Sequence, residues 1–220
     1  MKKSVFIIPL ILIGCGGDDK SNTLDTQPNK TYSLEKVVSL KSGVVYSSEL
    51  FDSATTQYGF IAIENKPETV INGVMVTPQY RYFTVKNSRH GSGNISAPIW
   101  ETTSYIDTAT KNLISFTTFA SQTGMGTRIN CSSTSPYHFP AQVKSGDSDI
   151  TPGFTCDNNI TIAPGNWRAE STTSGHLDFI VQAQTVDISG SLINEVTTYT
   201  LDSGGAIVSL KINNLKSFSD

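Results

Sequence analysis

Short runs rich in Thr, Val, Ile, Phe and Tyr recur from Val44 onward, each closed off by Gly, Asn, Asp or Pro. No other feature constrains the fold as much. β-Branched and aromatic residues fit a pleated, half-buried surface, and the punctuating residues supply tight turns. The clearest runs cover 58–63, 69–77, 80–85, 102–106, 112–119, 159–162, 177–184, 187–193, 196–201 and 206–212. Asn72-Gly73 falls between Thr69-Val70-Ile71 and Val74-Met75-Val76. It is a two-residue hairpin signal, because the glycine accepts positive φ and the turn twists with its strands. Ser203-Gly204-Gly205 marks a second hairpin. Only 33–40 breaks the pattern. There Leu34, Val37 and Val38 share a helical face and Gly43 offers a stop, so the stretch reads equally as a short N-terminal helix or as a strand.

Composition narrows the class further. Charged residues make up 16% of the 220, against roughly 25% in a typical globular domain, which argues against long solvated helices and coiled coils. The net charge of −3 excludes a nucleic-acid binder that works by bulk positive charge. The expectation is an all-β chain: one antiparallel sheet, folded as a sandwich or partial barrel, over residues 31–220.

The first residues read as an address. Met1-Lys2-Lys3 is positive, and the apolar run Val5 to Ile13 is too short for a permanent span, which needs about 20 residues. Leu12-Ile13-Gly14-Cys15 follows, with a small residue just before a cysteine. This order resembles the lipobox of bacterial lipoproteins. The resemblance implies cleavage of 1–14 and acylation of Cys15, which becomes the new N-terminus. Several acyl chains on one cysteine would anchor the protein durably, since a single chain anchors only reversibly. Gly16, where Asp would signal inner-membrane retention, favours the outer membrane. Residues 15–30 hold only Leu24 as a large aliphatic side chain beyond Cys15 and read as a flexible tether, spanning on the order of 20 Å.

With Cys15 assigned to the anchor, Cys131 and Cys156 remain as a pair in an oxidising setting, and a disulfide is the default reading. Free thiols are the alternative. A zinc site lacks companion ligands near His138, and a redox pair would have Cys-x-x-Cys spacing. The span between the cysteines is dense in turn-formers, including Pro136, Pro140, Gly146, Pro152 and Gly153, with a short strand expected near Ala141-Gln142-Val143.

Two further patterns bear on the fold. Phe60-Ile61 through Ser115 is echoed in order by Phe179-Ile180 through Ser209, but the spacings are uneven and chance repetition in a Thr-rich sheet is the simpler account. A second resemblance rests on Ser132-Ser133, Pro136, Pro140, Lys144-Ser145-Gly146-Asp147, Cys156-Asp157-Asn158, Trp167 and Tyr199, with Asp202-Ser203-Gly204, Ile207 and Ser209 closing it. Together they resemble a family of uncharacterised proteobacterial lipoproteins. That resemblance implies an exported, mostly antiparallel β protein with a disulfide, and no activity.

Candidate chemistry is sparse. There is no Gly-x-Ser-x-Gly elbow, and His90, His138 and His176 each sit beside turn residues. Glu101, Asp107, Glu195 and Asp202 border strands and read as solvent-facing carboxylates. Asp147, Asp149 and Asp157 form a weak calcium candidate, oxygen-rich but without the twelve-residue loop pattern. Residues 80–91 concentrate basic and aromatic side chains. Strand alternation puts Arg81, Phe83 and Val85 on one face and Tyr80, Tyr82, Thr84 and Lys86 on the other, and Lys86, Arg89 and His90 gather at a turn. Arg81, Lys86, Arg89 and His90 are therefore the candidate contact for an anionic envelope polymer, with a half-buried strand and solvated turn as the plainer reading. No cofactor and no nucleic-acid partner are expected. The sequence leans towards a non-enzymatic, lipid-anchored envelope protein that contacts an envelope component, a protein partner or an apolar ligand. The alternative is an envelope hydrolase acting on glycan or peptide.

Overall fold

The computed structural model describes residues 30–38, 41–86, 99–122, 125–186 and 189–217. Cys15, Arg89 and His90 lie outside them. In chain order the strands are β1 (Thr31–Ser33), β2 (Gly43–Asp52), β3 (Gln57–Asn65), β4 (Thr69–Ile71), β5 (Val74–Lys86) and β6 (Ile99–Asp107). They continue with β7 (Leu113–Gln122), β8 (Met125–Ser133), β9 (Gln142–Lys144), β10 (Ser148–Ile150), β11 (Phe154–Cys156) and β12 (Thr161–Ile162). The last are β13 (Asn166–Ser171), β14 (Leu177–Val186), β15 (Leu192–Leu201), β16 (Ile207–Ile212) and β17 (Leu215–Ser217). The all-β antiparallel expectation holds. Residues 34–38 form a single turn, with Val37 and Val38 N–H groups both donating to the Leu34 carbonyl, and not a helix. Leu34 and Val37 are buried all the same, so the 3.6-like spacing recorded one anchoring turn.

Strand pairing runs β14-β15-β16-β17-β2-β3-β5-β6-β7-β8, every neighbour antiparallel. A bent ribbon joins its ends. β10 and β11 are one path interrupted by Thr151-Pro152-Gly153; β12 and β13 are another interrupted by Ala163-Pro164-Gly165. β11 pairs with β8 and β12, and β13 pairs with β14 and β10. The ribbon thus reaches both edges of the sheet and rolls it into a barrel. At the bend the Thr151 N–H donates to the Gly165 carbonyl and the Gly165 N–H to Thr151 Oγ1, both at 3.1 Å. A side chain on Gly165 would meet the Gln182 carbonyl at 2.4 Å, and one on Gly153 the Ile162 carbonyl at 2.8 Å. Glycine is required there for close backbone approach, while each preceding proline removes a ladder donor where the strand turns.

The Cys131–Cys156 disulfide joins directly paired residues of β8 and β11. It lies among Ile129, Phe154, Ile162 and Val186, so it fastens the ribbon to the sheet from within the apolar interior. The Asn72-Gly73 turn (φ +49° and +81°) joins β4 to β5 as the sequence indicated, and Gly205 (φ +77°) closes the turn between β15 and β16.

Alternation places Leu50, Ile61, Ile63, Phe83, Leu210 and Ile212 inward, with Glu49, Phe60, Glu64 and Lys211 at intervening, less buried positions. The interior along these strands is therefore apolar. The echoed segments do not superimpose in environment: Phe60 is 38% exposed, whereas its counterpart Phe179 is fully buried.

One end of the barrel carries a lid. β1 pairs with β9 as a separate two-stranded sheet, and the Leu34 N–H donates to the Ala141 carbonyl. Tyr32, Leu34, Val37 and Val143 pack down onto Trp167, Ala169, Leu177, Phe179 and Leu201 of the barrel. The Tyr32 hydroxyl donates to the Gly175 carbonyl at 2.9 Å. Residues 34–38 and 137–142 complete this cover.

Candidate ligand cavity

Beneath the lid lies a cavity of about 850 Å³. β5 contributes Gln79 and Arg81, β6 contributes Ser104 and Ile106, and β7 contributes Leu113. The opposite wall is Phe179, Val181 and Ala183 of β14 with Glu195, Thr197 and Tyr199 of β15. Lid residues Val37, Val38, Tyr137 and Phe139 close the top. The space exists because several inward positions carry small side chains (Ser104, Ala183 and Thr197), and the walls do not meet there.

Aromatic rings line one side continuously. Phe139 meets Phe179 edge-on at 6.0 Å, Phe179 lies 5.3 Å from Trp167 and 6.4 Å from Tyr199, and Tyr137 stands edge-on to Phe139 at 5.4 Å. Trp167 Nε1 donates to the Tyr137 hydroxyl, which satisfies the indole while fixing the loop that carries Tyr137. The mouth is polar instead: Glu35 and Lys41 form an exposed ion pair at 3.5 Å, and Lys111 and His138 stand nearby.

Among the described residues, one ion pair crosses the interior. Arg81 Nη1 donates to Glu195 Oε1 at 2.7 Å, joining β5 to β15 from opposite walls, and Thr197 Oγ1 donates to the same oxygen at 3.0 Å. The two side chains are 25% and 17% exposed. Burial alone would raise the Glu195 carboxyl, but Arg81 and Thr197 outweigh it and hold the group below its ordinary value. Arg81 Nε and Nη2 are buried with no hydrogen-bond partner within the protein. Burial also pushes up the neighbouring Tyr199 hydroxyl, which stays protonated.

Among the described residues, those singled out in the sequence are dispersed. Arg81 points into the barrel, on the face shared with Phe83 and Val85 as alternation required. Its guanidinium is turned to Glu195, and Arg89 and His90 lie outside the described residues. Asp147 Oδ2 accepts the Lys144 N–H, Asp149 Oδ1 accepts the Ile150 N–H, and Asp157 accepts both the Asn130 N–H and its side-chain amide. Asp147 and Asp149 serve their own local backbone, while Asp157 ties the segment after β11 to β8. Among the described residues no group of three or more His, Cys, Asp or Glu could hold a metal ion. Asp107 and Asp202 are turn residues whose carboxylates accept following backbone N–H groups, and those bonds hold both below the ordinary carboxylate range. Of the four strand-border carboxylates, Glu195 departs most from the solvent-facing expectation.

Sequence reasoning missed Glu195, Gln79, Phe139 and Tyr199 as cavity residues. The alternation in β15 carried part of the signal: Glu195, Thr197, Tyr199 and Leu201 share a face, and Leu201 is fully buried. What the alternation lacked was the partner from β5, which lies 114 residues away.

Fold and site together define a lidded antiparallel barrel with an interior cavity. No family model, curated protein or solved structure matches this chain.

Proposed function

We propose that this chain is a non-catalytic binding protein of the bacterial envelope, anchored through Cys15 to the outer membrane, that holds a small, mostly apolar ligand inside its barrel. The observation that carries the reading is the cavity of about 850 Å³ under the lid, walled by aromatic and aliphatic side chains and rimmed by charge. Small-molecule sites typically measure about 300–1,000 Å³ and combine apolar walls with a few placed polar groups.

The same interior argues for binding over hydrolysis. Glu195 is held ionised and engaged by two donors, which makes it a weak general base. Outside the cavity, Ser174 Oγ lies 3.2 Å from His176 Nδ1, but the two share one turn, and the nearby Asp202 is committed to the Gly204 and Ala206 N–H groups. A reading as an anionic-polymer binder loses Arg81 to the interior.

Organic extraction of the full-length protein purified from its envelope, followed by mass spectrometry, tests the proposal. A discrete apolar compound near one per chain is expected, together with its loss in Ala183→Phe, which fills the cavity and should leave a wild-type strand signal by circular dichroism. An extract identical for the two proteins would overturn the reading. The anchor has its own test, because the mature N-terminal peptide should carry acyl chains on Cys15, and an unmodified Lys2-containing N-terminus would contradict it.

A further inference from the structure

Among the described residues of the cavity wall, Arg81 carries buried side-chain donors without a protein partner, and it limits what the ligand can be. A guanidinium offers five donors in a fixed fork. Here Nη1 is committed to Glu195, while Nε and Nη2 are buried without a partner in the protein. Leaving buried donors unsatisfied is unfavourable, and the cost falls when an acceptor arrives. The charge, however, is already balanced. Glu195 sits 2.7 Å away and remains ionised, so a second anion would leave excess negative charge in an interior of low polarity. The groups that face Arg81 are Glu195 and Tyr199 from β15, with Thr197 behind Glu195 and Gln79 along β5. Gln79 Nε2 is turned towards Asn65 Oδ1, at 3.1 Å. The position therefore favours an acceptor that is strong but uncharged, next to walls that suit a hydrocarbon chain.

We propose that the ligand is a long-chain apolar molecule bearing a neutral carbonyl acceptor (an ester, amide or ketone), with its carbonyl oxygen taken by Arg81 and its chain laid along Phe139, Phe179 and Val181. This rests on the reading of the cavity as a ligand site and specifies the ligand's chemistry.

The test uses the full-length protein and three probes of equal chain length: hexadecane, methyl palmitate and palmitate at neutral pH. Methyl palmitate binds tighter than hexadecane by about tenfold, the scale of one hydrogen bond from a charged donor, and tighter than palmitate. The paired substitution Arg81→Met with Glu195→Met keeps the charge balanced and removes the ester's advantage over hexadecane. Glu195→Gln frees the arginine's charge and turns the preference from ester to carboxylate, a gain that a misfolded variant could not produce. Equal affinity for ester and alkane, an advantage that survives the paired substitution, or palmitate as the preferred wild-type probe would each overturn the carbonyl assignment and leave the cavity reading standing. Failure of all three probes to bind would instead overturn the cavity reading itself.

Discussion

Two stretches of one barrel interior follow the same alternation and reach opposite outcomes. Where Leu50, Ile61, Phe83, Leu210, Ile212 and Leu215 point inward, the walls meet and the side chains are nearly or fully buried. Where Ser104, Ala183 and Thr197 point inward under the lid, the walls stand apart and enclose a cavity. Alternation decides which residues face the interior, and their size decides whether the interior is core or site. The cavity half also holds the interior ion pair, which a filled core would exclude.

The sharpest way to break this contrast is at the ion pair. Arg81→Met alone strands Glu195 in the interior and should lower stability by about 3–5 kcal/mol, whereas the paired change with Glu195→Met should be close to neutral. Denaturant unfolding of the single and paired variants reads the difference. Equal losses in both would mean that the pair is fully solvated.

Next in size, Leu210→Ala in the packed half should cost about 3 kcal/mol, because Leu210 is fully buried and a cavity would remain. Val181→Ala in the cavity half should cost about 1 kcal/mol or less, since that side chain already borders open space. Similar losses at the two positions would erase the distinction between core and site.

Replacing Cys131 and Cys156 by Ser removes a cross-link with a sequence separation of 25 residues and should cost about 3 kcal/mol on the chain-entropy model. The first hydrogen-exchange losses should appear in the ribbon's β11 and β12. Protection lost first in the lid would show that the disulfide does not hold the ribbon.

The smallest effect is the pH response. Glu195, Asp107 and Asp202 all have carboxyl groups lowered in the folded protein. Their contribution is complete above the ordinary carboxylate range, about 3.9–4.3. It is lost as pH falls through the lower folded values, since protons then bind the unfolded chain preferentially. Thermal melting should therefore hold steady from neutral pH down to that range and decline below it. In the Arg81→Met, Glu195→Met protein the decline should be shallower.

Much of the architecture was legible from local chemistry. Asn72-Gly73 named its turn, the β-branched runs named their strands, and Cys131 and Cys156 named each other once Cys15 was set aside. The barrel closure was not legible, because Pro152 and Gly153 read only as turn-formers, when Thr151-Pro152-Gly153 and Ala163-Pro164-Gly165 are bends within continuing strands. The site was less legible still. Arg81 and Glu195 are recognisable as partners only after the sheet has curled, and Leu34 and Val37 signal burial without saying that they cover a cavity.

A ligand site beneath the lid is tested most directly with a reporter already in place. Trp100→Phe leaves Trp167 as the single tryptophan, packed 5.3 Å from the cavity residue Phe179. Titrating that full-length variant with methyl palmitate should shift the Trp167 emission and saturate at one molecule per chain, and the added Ala183→Phe substitution should abolish the response. An emission that never saturates, or that responds identically in the filled variant, would contradict a ligand site beneath the lid.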